Sequence, residues 1–155
     1  MIDKKKLVLS LIIPWLAGGI GSFFTFTEIT TWYASLNKPA ITPPNWFFGP
    51  IWTTLYTLMG IAFYFVWIKK SEHFKLATVI FGIQLVLNAL WSVIFFGFHQ
   101  LVFGLVTILQ LWFMILANII EFRSIDRKAG DMLFPYLAWV TAATILNFMV
   151  ILLNP

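Results

Sequence analysis

The chain has no cysteine. Disulfides, thiolate nucleophiles, cysteine-ligated zinc, iron–sulfur clusters and covalently attached c-type haem are therefore excluded, while the compartment stays open. Charge is also scarce. Only 10% of the 155 residues are Asp, Glu, Lys or Arg, where a soluble domain carries about 25%. With 61% hydrophobic residues, the chain lacks the polar groups to cover a water-facing surface, and a bilayer is the natural solvent for the excess. The length suggests one domain. The net charge of +4 does not point to nucleic acid, because of where the charges sit.

Five stretches hold no charged residue: Leu7–Thr27, Trp46–Ile68, Leu76–Phe98, Leu101–Ile120 and Met132–Leu153, of 21, 23, 23, 20 and 22 residues. A hydrocarbon core of ~30 Å takes ~20 helical residues at a rise of ~1.5 Å. Backbone groups in lipid must satisfy each other within the segment, so these spans are helices. The expected fold is an all-α membrane protein, a single domain of five transmembrane helices over residues 1–155. Lys4, Lys5, Lys6, Lys69, Lys70, Lys75, Arg123, Arg127 and Lys128 fall on one side of the membrane, and Lys38 alone on the other. Cytoplasmic loops are rich in Lys and Arg, which predicts a multi-pass cell-membrane protein with its amino terminus cytoplasmic and its carboxyl terminus outside. The first apolar run continues to Thr27, longer than the core of a signal peptide needs, so the first span is expected to be retained.

The connections differ in kind. His99–Gln100 is a minimal turn, which makes spans three and four a tight hairpin. The charged segment Glu121–Asp131 is expected to be a solvated cytoplasmic connector. Residues 28–45 hold Trp32, Tyr33, Pro39, Pro43 and Pro44, with Pro50 just inside span two. Prolines fix φ and bias the preceding residue to extended backbone, so this segment reads as an ordered outer lid or as an interfacial loop with belt aromatics.

No ionisable side chain lies inside a span. Ion-coupled transporters and proton pumps usually need one near mid-depth, and paired-carboxylate catalysis has no place within the bundle. His73 and His99 lie at loops and are not placed to bind a buried haem. Uncharged polar residues do occur within the spans. Gln84, Asn88 and Ser92 are spaced four apart on one face of span three, with Trp91 beside them. Gln110 and Asn118 sit in span four. Thr141, Thr144 and Asn147 sit in span five, where Asn147 shares a face with Ala143 and, less closely, Trp139. Two readings stand for Gln84 and Asn88: interhelical hydrogen bonds, worth ~0.6 kcal/mol on average, or contacts to a ligand's heteroatoms. Gln110 and Asn118 read as packing. Of eight tryptophans, Trp32, Trp46 and Trp67 fit an interfacial belt. Trp52 lies ~9 Å inside span two, and Trp91 and Trp139 are also deep. They supply either packing bulk or flat faces for a planar ligand. Small residues at helical spacing (Gly18 with Ser22, Ala17 with Gly21, Thr53 with Thr57 and Gly60) allow close helix approach within the bundle or between protomers.

The chain carries the runs Trp32–Tyr33 to Leu36, Lys38–Pro39, Pro43–Pro44, Gly49–Pro50–Ile51–Trp52 with Thr54, Leu55, Tyr56, Met59 and Gly60, then Gln84, Asn88, Trp91–Ser92, Phe95–Phe96–Gly97, Pro135–Tyr136, Trp139, Ala143 and Leu146–Asn147. Together they resemble the tryptophan-rich sensory protein family, bacterial relatives of the mitochondrial translocator protein or peripheral benzodiazepine receptor. The likeness covers essentially the whole chain. It implies a compact five-helix bundle whose outer-half pocket binds tetrapyrroles such as protoporphyrin IX, isoquinoline-carboxamides and benzodiazepine-type drugs, with the loop after span one as a lid. It implies light-dependent porphyrin degradation, or alternatively passive porphyrin carriage or ligand-dependent sensing of stress. Homodimers are common in the family, and nucleic acid is not an expected partner. Carried onto this chain, the pocket would use Tyr33, Pro43, Pro44, Trp52, Tyr56, Gln84, Asn88, Trp91, Trp139, Ala143 and Asn147. Trp52 and Trp139 would act as electron donors to excited porphyrin. No resident cofactor or metal is required, since porphyrin is itself ligand or substrate, and Lys38 is a candidate partner for a propionate. One departure is plain: no Lys or Arg follows Tyr136, so the sterol motif of the animal members is missing from span five.

Overall fold

A computed structural model describes residues 3–155. Among these, the regular structure is helical throughout: α1 Lys4–Glu28, α2 Trp32–Ser35, α3 Asn45–Ile68, α4 Phe74–Ser92 running on into a π-helical turn Val93–Gly97, α5 Leu101–Ile125, α6 Arg127–Asp131 and α7 Phe134–Leu153. Five helical segments are long and apolar enough to cross a membrane. They overlie the five charge-free stretches. α1 packs on α3 and α4, α4 on α5, and α5 on α7. α3 and α7 meet through aromatic side chains, Phe47 and Phe48 against Trp139 and Trp52 against Tyr136. The two ends are named here by what they carry, the basic end with the Lys/Arg loops and the lid end with residues 28–45.

The helices outrun the charge-free stretches at the basic end. The Asp3 side chain caps α1 by accepting from the Lys6 amide at 3.1 Å. α5 continues through Glu121 and Arg123 to Ile125. The absence of charge marks the edge of the hydrocarbon, whereas the helix ends where a cap ends it. The segment Glu121–Asp131 keeps its charged side chains exposed or half-buried, but it is helical rather than a loop, and the expectation is corrected in that respect. Its first half is helix α5. Its second half is the short helix α6, capped by Asp126, whose carboxylate accepts from the Lys128 and Ala129 amides. α6 is packed in place: Ala129 is buried, and a Cβ on Gly130 would collide with Arg123 and the Ile119 carbonyl.

Packing at the basic end is solid. Phe63 stacks on Phe81 with ring centroids 4.7 Å apart and planes 8° from parallel, and Phe74 and Phe122 flank the pair. A Cβ on Gly60 would lie 2.8 Å from both the Leu11 Cα and the Ser10 carbonyl oxygen, so α1 and α3 touch here backbone to backbone. Pro14, buried within α1, has no N–H to give the Ser10 carbonyl, and Gly60 packs against that freed oxygen.

Candidate functional site

Toward the lid end α1 and α3 part. Between them lies an open-sided hollow of about 240 Å³. Its α1 wall includes Trp15, Gly18, Gly19, Ser22 and Phe26, and its α3 wall Phe48, Gly49, Trp52, Thr53 and Tyr56; Ser92 of α4 also lines it. Glycine makes the space. A Cβ on Gly19 or Gly49 would meet nothing within 4 Å, whereas one on Gly18 would strike the Tyr56 ring at 2.3 Å. Trp52 stacks on Tyr56 at 5.3 Å and 23°, so two parallel rings form one wall. Phe48, Trp52 and Tyr56 follow at intervals of four and share a helix face.

A second hollow of about 30 Å³ lies beside the lid helix, among Tyr33, Trp91, Phe95, Phe96, Ala143 and Asn147. The π turn shapes it: Phe95 and Phe96 are adjacent in sequence yet both buried. Trp91 stacks on Phe95 at 5.2 Å and meets Phe96 edge-on at 5.8 Å. Phe48 lines both hollows and is the partition between them. Trp139 lies behind this partition, 5.9 Å from the Phe48 ring at 77°.

The structure thus divides the expected site residues. Trp52 and Tyr56 line the larger hollow; Tyr33, Trp91, Ala143 and Asn147 line the smaller. Trp139, Pro43, Pro44, Gln84 and Asn88 line neither. Pro44 starts α3 from extended backbone. Asn88 is tied on both sides of its amide: the Tyr56 hydroxyl donates to its Oδ1 at 2.7 Å, and its Nδ2 donates to the Tyr136 hydroxyl at 3.0 Å. This bond chain joins α3, α4 and α7 beneath the Trp52–Tyr56 stack. Gln84 is fully buried, with its Nε2 at 3.8 Å from the Met59 sulfur and its Oε1 without a partner among the described residues. Asn147 accepts from the Trp91 indole at 3.3 Å and donates to the Leu101 carbonyl at 3.0 Å. Gln110 faces outward, and the Oδ1 of the buried Asn118 has no partner among the described residues.

The lid is ordered and pinned at several points. The Lys38 ammonium donates to the carbonyls of Tyr33 at 2.7 Å, Leu36 at 3.1 Å and Ala34 at 3.2 Å, and lies 4.9 Å from the Tyr33 ring centroid. Its three donors close the end of α2 and leave none for a propionate. Burial raises the Tyr33 phenol above its ordinary pKa. The Asn154 side chain accepts from the Asn37 amide at 3.0 Å and donates to the Asn37 carbonyl at 2.9 Å, fastening the lid to the end of α7. Trp32 stacks on His99 at 4.3 Å and 11°, and His99 Nε2 lies 3.2 Å from the Glu28 carboxylate.

The sequence reading did not name Phe48, Gly19 or Gly49 as site residues, although Gly49 belongs to a run that carries the resemblance. The Phe48–Trp52–Tyr56 spacing was available as a signal. Which glycines face empty space was not.

These features define a class: a small all-α membrane protein of five spans, solid at one end and parted at the other around aromatic walls. The TspO/MBR family model matches residues 10–153, and the chain belongs to that family. Tryptophan-rich protein TspO of Archaeoglobus fulgidus is 43% identical over 149 residues, which are 96% of this chain and 97% of the relative. Protein CrtK of Rhodobacter capsulatus is 40% identical over 141 residues, 90% of this chain and 86% of the relative. Human translocator protein is 38% identical over 142 residues, 90% of this chain and 84% of the relative.

Proposed function

We propose that this chain binds tetrapyrroles of the protoporphyrin IX type, and drugs of the translocator-protein class, at the lid end of its bundle, and that it promotes light-dependent degradation of the bound porphyrin. Membership of the TspO/MBR family supports the membrane setting and this ligand class. The observation that carries the reading is the Trp52–Tyr56 stack, 5.3 Å between centroids, on the wall of an open-sided hollow whose opposite wall is glycine and aromatic. A flat macrocycle gains most from such a surface, because offset stacking adds about 0.5–1.5 kcal/mol per aromatic pair. Small-molecule pockets run to about 300–1,000 Å³, so the larger hollow, at about 240 Å³, has to widen for a ligand of this size. Phe48 is the side chain whose rotation joins it to the smaller hollow. Gln84 and Asn88 hold the floor of the site rather than meeting ligand atoms.

The chemistry needs no acid–base residue. Excited porphyrin takes one electron from the Trp52 indole, giving a porphyrin radical anion and an indole radical cation; dioxygen adds to the radical anion, the electron returns to the indole, and the ring opens as the O–O bond breaks with both oxygen atoms kept in the product. Trp139 serves as a second donor once Phe48 moves aside. The amino terminus is cytoplasmic, the carboxyl terminus is outside, and the protein acts as a homodimer of the cell membrane. The test is illumination of the purified protein with protoporphyrin IX, following the identity of the products. Replacing Trp52 and Trp139 together by Phe retains binding and abolishes the altered product. Trp52→Phe alone removes more of it than Trp139→Phe alone. Unchanged product from the double variant overturns the photochemical reading.

A further inference from the structure

We propose that the ligand reaches this site sideways from the hydrocarbon, through the flank between α1 and α3, and not from water past the lid. The inference rests on the porphyrin reading above and adds the route and the form of the ligand: a flat, membrane-dissolved aromatic molecule moving edge-on.

Three observations carry it. First, the aqueous face is fastened on three sides, by Lys38 within the lid, by Asn37–Asn154 to α7, and by Trp32 and Glu28 to His99 at the α4–α5 turn. Second, the rim of the larger hollow consists of residues exposed on the outer surface of the bundle: Trp15, Gly19, Phe26 and Thr53. A ligand on this rim already touches the stack formed by Trp52 and Tyr56, so surface and site are continuous. Third, the two walls are built to part. They are locked backbone to backbone where Gly60 meets Ser10 and Leu11, the further contact being Gly18 against the Tyr56 ring, and at the first of these α1 is at its weakest. Pro14 deprives the Ser10 carbonyl of its helix bond, and the buried Ser10 hydroxyl has no partner among the described residues. Helices bend at proline because that bond is missing. The other wall carries Pro50 one residue from Gly49. α1 beyond Pro14 is thus a leaf hinged on the Ser10–Gly60 contact. Its swing widens the cleft along the length that Gly19 and Gly49 leave empty.

The lack of native cysteine makes the test clean. Gly19→Cys is labelled in detergent with benzyl methanethiosulfonate, which fills the cleft without striking the fold, and is then reconstituted into phosphatidylcholine vesicles carrying protoporphyrin IX in the bilayer. Tryptophan quenching is followed by stopped flow. The plugged protein takes up porphyrin about tenfold more slowly than the unlabelled variant, and releases it more slowly by the same factor, because a blocked passage alters rates in both directions. Dithiothreitol removes the plug and restores both rates in the same sample, which separates the effect from misfolding. Gly49→Leu slows uptake in the same way. Freeing the lid with Asn37→Ala and Asn154→Ala leaves uptake unchanged. Saturable binding with rates indifferent to the plug, or faster uptake on freeing the lid, overturns the lateral route and leaves the binding reading intact. Absence of saturable quenching in the parent protein overturns both.

Discussion

At the basic end, α1 and α3 meet backbone to backbone at Gly60 and Ser10, beside a stack of Phe63, Phe81 and Phe122. At the lid end the same two helices enclose about 240 Å³ between Gly19 and Gly49. Both ends are built from glycine and aromatic rings, and they differ in what lies across from each glycine. Gly60 and Gly18 are contacts, occupied by a neighbour's backbone or ring. Gly19 and Gly49 are vacancies. In lipid, where apolar surface gains little by leaving the solvent, helices associate through close packing. A vacancy there is a packing loss unless a ligand or a lipid chain fills it. The solid end holds the bundle together so that the open end can remain incomplete.

The sharpest way to break the comparison is to put the same side chain at both kinds of glycine. Gly60→Leu forces α1 and α3 apart where they touch. It is expected to destabilise by about 3 kcal/mol or to prevent folding, since overpacking a filled site costs about 1–3 kcal/mol and sometimes more. Gly19→Leu enters open space and is expected to leave the thermal midpoint in detergent within a few degrees of the parent. Equal losses would mean that the two ends are packed alike. Next in size is the same contrast drawn with phenylalanine. Phe63→Ala removes the centre of the basic-end stack and costs about 3 kcal/mol. Phe48→Ala removes a partition between two hollows, costs less than half as much, and quickens porphyrin quenching by joining the hollows. Smaller still is Asn88→Leu, which strands the Tyr56 and Tyr136 hydroxyls at the boundary between the halves. About 1 kcal/mol is expected by the usual net value of a hydrogen bond, read as a drop in thermal midpoint, together with loss of the fixed Tyr56 ring under Trp52.

The spans were legible because ionised groups are too costly to hold in hydrocarbon, so absence of charge traced the membrane directly. The helix ends were not, because α5 stops at the cap Asp126 supplies and not where charge begins. Asp126 followed by Arg127–Lys128–Ala129 is a readable N-cap pattern, yet charge density masked it. The π turn that buries both Phe95 and Phe96 has no pattern of its own in the sequence. At the site, the residue types at Trp52, Tyr56, Trp91 and Tyr33 marked surfaces that the fold turns toward the hollows. Asn88 stood open in sequence between interhelical bonding and ligand contact, and partners 32 and 48 residues away settle it as bonded; Lys38 looked free, but three nearby carbonyls hold it. Trp139 and Phe48 are neighbours only because α3 and α7 face each other through aromatic side chains, a pairing no local spacing encodes.

The smallest effect tests whether the basic end depends on its polar rim as well as its rings. Burial alone would raise the Asp126 pKa. The Lys69 ammonium at 3.2 Å and the amides of Ala129 and Lys128 outweigh it and hold the carboxyl below its ordinary value. A carboxyl depressed in the fold stabilises the folded state above its unfolded pKa of about 3.9, and that contribution is lost as pH falls through the lower folded value. The α5–α6 corner is therefore expected to be indifferent to pH between about 5 and 8 and to loosen below about 4, seen as faster amide exchange at Ala129 and Gly130. Asp126→Asn gives the loosened state at neutral pH and flattens the acid response, with lid-end porphyrin quenching unchanged. If the variant instead altered quenching as much as Phe48→Ala does, the two ends would be coupled through α5, and the division of labour between them would fail.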